Sequence, residues 1–208
     1  MIDNTQLAAL VASKICHDLV EPMNAIIQGH EMIRTDNQSK PDPDALSLLD
    51  QGVAKAWAKL EFFRFALGGA MAEGEGQIEE GRAVIEKLYG VLKAELLWNV
   101  PAITMPRPAV RVIANLLLIA NECLPRGGKV EVTGDAGEVR IIATGARAAL
   151  RTPTAQALRG ETPEGGISGY TVQQWLTGTL ARQNNIELLA RESEERVELL
   201  ARSSAFKV

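Results

Sequence analysis

Apolar residues recur along the first third of the chain at alternating spacings of four and three. Ala8, Ala12, Ile15, Leu19, Pro22, Ile26, Gly29 and Ile33 form one such seam, the period of a helix that turns one face to a partner helix. Leu46, Leu49, Val53, Ala56, Leu60, Phe63 and Leu67 form a second. Residues 35–42 between them are polar. Asp42 suits a helix N-cap, with Pro43 at the first helical position and Asp44 in the first turn. Gly68-Gly69 marks the stop. The pattern predicts two helices joined by a short loop, an antiparallel hairpin. Pro22 lacks an N–H and crowds the preceding turn, but the seam resumes on both sides of it. A kinked, continuous helix is therefore expected.

The same periodicity sorts the polar residues. At about 100° per residue, His17 lies roughly 200° from Ile15, on the far side of the seam. Ser13, Lys14, Glu21, Asn24, Gln28 and Glu31 share its side, so an exposed imidazole in a polar stripe is expected. His30 falls beside Ile26, Ile27 and Ile33 and reads as a packing histidine. Trp57, Phe62 and Phe65 lie off the second seam and add an apolar strip. A second copy of the chain, completing a four-helix bundle, would cover it; so would the C-terminal half of the same chain. The homodimer is the expectation.

Beyond the hairpin the pattern changes. Residues 71–77 read as a linker. Helices are expected at 78 to about 92, 108–123 and 171–183, and strands at 95–100, 129–133, 138–143, 186–191 and 196–202. Gly134-Asp135-Ala136-Gly137 is a hairpin signal. Residues 145–169 form a Gly/Pro/Thr-rich connection with one helical turn near Ala155. The sum is an α+β chain with a domain boundary between residues 72 and 78: a hairpin in 1–72, and in 78–208 a mostly antiparallel sheet covered by helices.

Composition narrows the function classes. With 208 residues, 46% of them hydrophobic, the chain holds one large domain or two small ones. A formal charge of −4 and 4% aromatic residues give no case for a nucleic-acid partner. No apolar run reaches the roughly 18 residues of a membrane span, and Met1-Ile2-Asp3-Asn4 lacks the basic start of a signal peptide. Cys16 and Cys123 have no paired spacing and read as reduced thiols. A cytoplasmic protein without membrane contacts is expected. Cys16 and His17 are not read as a metal pair, because adjacent helix positions diverge by about 100° and no further ligands cluster there.

His17-Asp18-Leu19-Val20-Glu21-Pro22-Met23-Asn24-Ala25-Ile26 resembles the phosphoacceptor box of two-component histidine kinases. Asn115-Leu116-Leu117-Leu118-Ile119-Ala120, followed by Pro125-Arg126-Gly127-Gly128 and a strand, resembles the N-box of the kinase ATP-binding domain, the Bergerat fold. Where that family carries a second asparagine for the Mg²⁺ of ATP, this chain has Ile119, which has no lone pair for a hard cation. Where the family's Asp-x-Gly-x-Gly box contacts adenine, the chain reads Ala143-Thr144-Gly145-Ala146-Arg147: Ala143 replaces the aspartate and Arg147 the second glycine. Gly165-Gly166-Ile167-Ser168-Gly169 is only a weak phosphate-loop signal. A kinase-like hairpin beside a hollowed-out ATP domain resembles, over essentially the full length, the ChpT-type histidine phosphotransferases of bacterial phosphorelays. The Cys-His-Asp start and Leu124-Pro125-Arg126-Gly127-Gly128 are further shared phrases.

The resemblance implies a dimeric four-helix bundle followed by a histidine-kinase-like α/β sandwich, a degenerate Bergerat fold. It implies a phosphohistidine carrier rather than an ATP-dependent kinase. His17 would be the phosphoacceptor, shuttling a phosphoryl group between receiver-domain aspartates of response regulators. No cofactor or metal would be held; Mg²⁺ would come on the partner receiver. Asp18 either orients the imidazole or is a solvated carboxylate. Lys14, Val20, Glu21 and Asn24 are the expected partner contacts. Lys14 would offset phosphoryl charge, or make a simple helix ion pair. Glu21 opposes that charge and stands where related boxes carry Ser, Thr or Asn, so phosphatase activity is not carried over. Two other readings stay open: a divergent ATP-binding histidine kinase, and a non-catalytic dimeric scaffold.

Overall fold

In the computed structural model, residues 2–35, 40, 42–68 and 74–207 are described. Helix α1 (Asn4–Thr35) and helix α2 (Pro43–Leu67) form the antiparallel hairpin. The Asp3 carboxylate accepts from the Gln6 N–H at 2.8 Å and starts α1; Asp42 accepts from Asp44 N–H at 2.9 Å and starts α2. α1 runs through Pro22 unbroken, with Pro22 buried. The two backbones meet at glycines. A Cβ on Gly29 would lie 2.8 Å from the Ala45 carbonyl oxygen, and one on Gly52 would lie 2.9 Å from that of Pro22. Side chains at either position would force the helices apart.

Short strand β1 (Glu75–Gln77), helix α3 (Ile78–Tyr89), strand β2 (Ala94–Asn99), short strand β3 (Thr104–Pro106) and helix α4 (Arg107–Glu122) follow. Then come β4 (Gly128–Asp135), β5 (Glu138–Thr144), α5 (Thr152–Leu158), α6 (Val172–Gln183), β6 (Glu187–Ser193) and β7 (Arg196–Arg202). The main sheet has the order β2-β4-β5-β7-β6. β2 and β4 are parallel and the other pairs antiparallel. Alternation sets the faces: Val139, Ile141 and Ala143 point into the core, while Arg140 on the other face pairs with Glu138 and Glu198 at 2.7 and 2.6 Å. α4 is buried over most of its length because it is covered on several sides, by the sheet, α3, α6 and the end of α2. The buried hydroxyl of Tyr89 donates to the Leu117 carbonyl at 2.6 Å, so α3 is tied to α4 without an orphan polar group.

Three expectations are corrected. Trp57, Phe62 and Phe65 do not form one strip. Phe62, at 1% exposure, and Phe65 pack into the C-terminal core, whereas Trp57 stays 62% exposed. Five residues put Trp57 about 140° round the helix from Phe62, so the two never shared a face. His30 is exposed; the buried side of α1 centres on Pro22 and Gly29, and the next residue after Gly29 points about 100° away. The turn between β4 and β5 is shorter than the four-residue signal, because Gly134 and Asp135 belong to β4 and Gly137 takes the left-handed conformation, φ 97°. Strands β1 and β3 had no period to announce them, being three residues each. Residues 36–39 and 41 of the polar loop and 71–73 of the linker lie outside the described residues.

Candidate functional site

His17 projects from the middle of α1 with 66% of its side chain exposed. Its Nδ1 lies 3.2 Å from Asp18 Oδ1. An ionised carboxylate only accepts, so this contact suits the tautomer with its proton on Nδ1 and its lone pair on Nε2. Asp18 is itself held: its Oδ2 meets Lys14 Nζ at 2.9 Å, and Lys59 donates to its backbone carbonyl at 2.7 Å.

Lys14 is buried and bridges from Asp18 to Glu122 at the end of α4, 3.1 Å away. Glu122 in turn accepts from Gln174 Nε2 of α6 at 2.8 Å. Burial acts against the Lys14 charge, but Glu122 and Asp18 outweigh it and hold the ammonium above its ordinary value. For Glu122 burial prevails and raises the carboxyl, with Lys14 and Gln174 pulling the other way. Lys14 thus makes the i,i+4 helix pair and a second pair to α4 together, and its ammonium is spent on α1 and the C-terminal half.

On one side of His17 lies an open depression of about 540 Å³ lined by His17, Val20, Glu21, Asn24, Ala25 and Gln28. The structure therefore brings together His17, Asp18, Val20, Glu21 and Asn24, and turns only Lys14 inward. The charge of Glu21, unexplained by the sequence, is answered by α2. Lys55 Nζ lies 2.6 Å from one carboxylate oxygen and Lys59 Nζ 4.0 Å from the other. The Lys55 hydrogen bond holds the Glu21 carboxyl below its ordinary range. Burial pushes the Lys59 ammonium down, Asp18 and Glu21 acting against that shift. Sequence reading missed both lysines; the signal was two cations one turn apart in α2 beside an apolar seam.

On the other side stands Tyr170, its ring centroid 5.8 Å from that of His17 and the planes at 71°. It lies at the edge of a cavity of about 530 Å³ lined among others by Lys14, Ile119, Glu122, Arg151, Ser168 and Gln174. The cavity adjoins the N-box helix α4 through Ile119 and Glu122. Asn115 is buried: its amide donates to the carbonyls of Arg111 and Ala66 at 2.9 and 3.3 Å, and its oxygen accepts from Gln173 at 3.0 Å. Every polar atom of the first N-box asparagine is thus used to join α2, α4 and α6. Ile119 and Ala143 are fully buried hydrocarbon. Among the described residues no three His, Cys, Asp or Glu side chains cluster as metal ligands.

The model of the histidine phosphotransferase C-terminal domain matches residues 78–196. The protein phosphotransferase ChpT of Brucella abortus (strain 2308) is 32% identical over 195 residues, 91% of either chain. A solved bacterial phosphotransferase superposes with a TM-score of 0.85 at 27% identity, over 97% of this chain and 98% of that one. The Acinetobacter baumannii histidine kinase AdeS shares the fold, with a TM-score of 0.51 at 13% identity over 91% of this chain and 98% of the kinase.

Proposed function

The chain belongs to the ChpT-type histidine phosphotransferases, which act in phosphorelays, and on that premise we propose that His17 is the phosphoacceptor. The Nε2 lone pair attacks the phosphorus of a receiver's aspartyl phosphate. The bond from phosphorus to the aspartyl oxygen breaks, and the carboxylate leaves with that electron pair. The phosphoimidazole keeps its Nδ1 proton and gains a positive charge, which the Asp18 carboxylate at 3.2 Å offsets. Reversal of the step on a second receiver passes the group onward. The receiver would bring the Mg²⁺ and acidic residues of its own site. The observation that carries this reading is the exposed imidazole with Nδ1 tethered and Nε2 free, beside a groove that holds Val20, Glu21 and Asn24.

The reading includes function without ATP, supported by the engagement of Asn115 and by hydrocarbon at Ile119 and Ala143. It also includes a homodimer formed by residues 1–72, with residues 78–208 as the degenerate ATPase-like part. In support, the hairpin leaves Met23 and Ile27 of α1 and Leu46, Val53, Trp57 and Leu60 of α2 exposed. On α2 these four share one face, the surface a four-helix bundle would cover. No helix of the described residues is long and apolar enough to cross a membrane, which is in keeping with work beside cytoplasmic response regulators.

The test is incubation with receiver domains charged by acetyl phosphate. The expected product carries acid-labile, alkali-stable label, which His17→Ala abolishes and His30→Ala retains, both with wild-type circular dichroism. Label that survives His17→Ala refutes the assignment. Calorimetry with Mg-ATP is expected to show no binding heat at about millimolar nucleotide, and sedimentation to give a dimer that Val53→Asp converts to monomer.

A further inference from the structure

The imidazole of His17 is gripped from two directions, and only one of them lies on its own helix. Asp18 engages the ring at Nδ1. Tyr170, 153 residues further along the chain, meets the same ring at 5.8 Å and 71°, the edge-to-face geometry that aromatic pairs prefer. A hydrogen bond to one ring nitrogen leaves the ring free to pivot about that bond. A second contact on the ring's surface removes the pivot.

Tyr170 is itself well placed to act as a fixed stop. Its backbone N–H donates to Ser168 Oγ at 3.3 Å, and Ser168 N–H donates to Thr171 Oγ1 at 3.0 Å. The N–H groups of Thr171 and Val172 both donate to the Ser168 carbonyl, at 3.1 and 2.9 Å. This turn opens α6, and α6 is joined to α1 through Gln174, Glu122 and Lys14. Lys14 then holds Asp18. The two groups that touch the imidazole are therefore the two ends of one chain of polar contacts. Tyr170 is 72% exposed, so its ring contributes little to any core, and packing does not account for an aromatic residue there.

We propose that Tyr170 is a positioning residue of the phosphotransfer site: its ring stops the His17 imidazole from pivoting and keeps Nε2 aimed at the incoming phosphoryl group. The inference rests on the functional reading above. Its consequence is that the C-terminal half, whatever else it does, completes the reactive site of the hairpin within one chain. In-line attack depends steeply on where the lone pair points, so loss of the stop lowers the rate at saturating partner rather than the affinity for it.

The experiment compares wild type, Tyr170→Phe and Tyr170→Ala in single-turnover transfer from an acetyl-phosphate-charged receiver over a range of receiver concentrations. Tyr170→Ala is expected to lower the saturating rate about tenfold, with the half-saturating concentration and the melting temperature little changed. Tyr170→Phe keeps the ring and is expected to stay within about twofold of wild type. Independently of transfer, the ring-proton resonances of His17 in the unphosphorylated protein are expected to move in Tyr170→Ala, where the neighbouring ring current is gone, and to stay near wild type in Tyr170→Phe. An unchanged saturating rate in Tyr170→Ala overturns the proposal. So does a loss confined to half-saturation, which would make Tyr170 a docking contact, or a Tyr170→Phe as slow as Tyr170→Ala. Unmoved His17 resonances in Tyr170→Ala overturn it as well. If wild type takes no label from any receiver, the functional reading fails and takes the proposal with it, while the resonances still report whether the rings meet.

Discussion

Lys55 donates to Glu21 across the hairpin at 2.6 Å, one helical turn beyond His17. A lone carboxylate there would repel an arriving phosphoryl group; in this chain the charge is already met from α2. Lys55→Met is expected to slow transfer to His17 by a factor of about three to ten, the size of one unpaired charge near a surface. Adding Glu21→Gln to the same chain is expected to restore most of the rate. Stopped-flow transfer with the single and double variants checks this, and a double variant as slow as Lys55→Met would remove charge as the explanation.

The same pair sets a pH dependence. Glu21 is held below its ordinary 4.5, first by the Lys55 hydrogen bond, with burial opposing. A carboxyl lowered on folding stabilises fully above its unfolded value, and the contribution is lost as pH falls through the lower folded value. Melting temperature measured from about pH 6 down to pH 3 is therefore expected to fall more steeply in wild type than in Lys55→Met.

Lys14 is buried between Asp18 and Glu122, so its loss is expected to appear in stability. Lys14→Met leaves Glu122 and Asp18 without their shared partner and is expected to cost about 2 kcal/mol, read from urea unfolding. The sign with pH is opposite to that of Glu21. Held above its ordinary 10.5, Lys14 contributes fully below that value, and the contribution disappears as pH rises through the higher folded one. A variant that kept full stability and only slowed receiver association would return Lys14 to the role of a docking charge.

Asn115→Leu keeps the branching and heavy-atom count of the side chain and removes three hydrogen bonds. Gln173 is left with a buried, unpartnered amide, and the expected cost is about 2 kcal/mol. Differential scanning calorimetry of this variant checks the brace; an unshifted melting temperature would show that α2, α4 and α6 are joined by packing alone.

Val20 is an exposed apolar residue on the groove beside His17. Val20→Asp is expected to raise the half-saturating receiver concentration by a factor of about ten or more, because a docked partner would bury an unpaired charge. Unimpaired transfer by this variant would move the docking surface elsewhere.

The sequence carried the hairpin, the exposed imidazole of His17 and the sheet elements because each rests on a local period or a local motif. Helix periodicity alone put His17 opposite Ile15. What it did not carry are contacts between distant elements. Glu122 and Gln174 are ordinary polar residues until α4 and α6 are folded against α1. Lys55 explains Glu21 only once the glycines have drawn the helices together. Tyr170 belongs to a loop whose glycines suggested phosphate and whose tyrosine suggested nothing. His30 was misplaced for a related reason: the apolar neighbours on its helix include residues that face outward.

The docking of Phe62, Phe63 and Ala66 into the C-terminal core bears on how such a chain changes over time. Cut free near residue 72, the hairpin would carry an uncovered aromatic end and an ion pair missing its far half. Recombination at that joint would yield a sticky fragment with a mis-set imidazole. Hairpin and C-terminal half therefore fold as one unit, because the end of α2 has no cover without the core that Phe62, Phe63 and Ala66 enter.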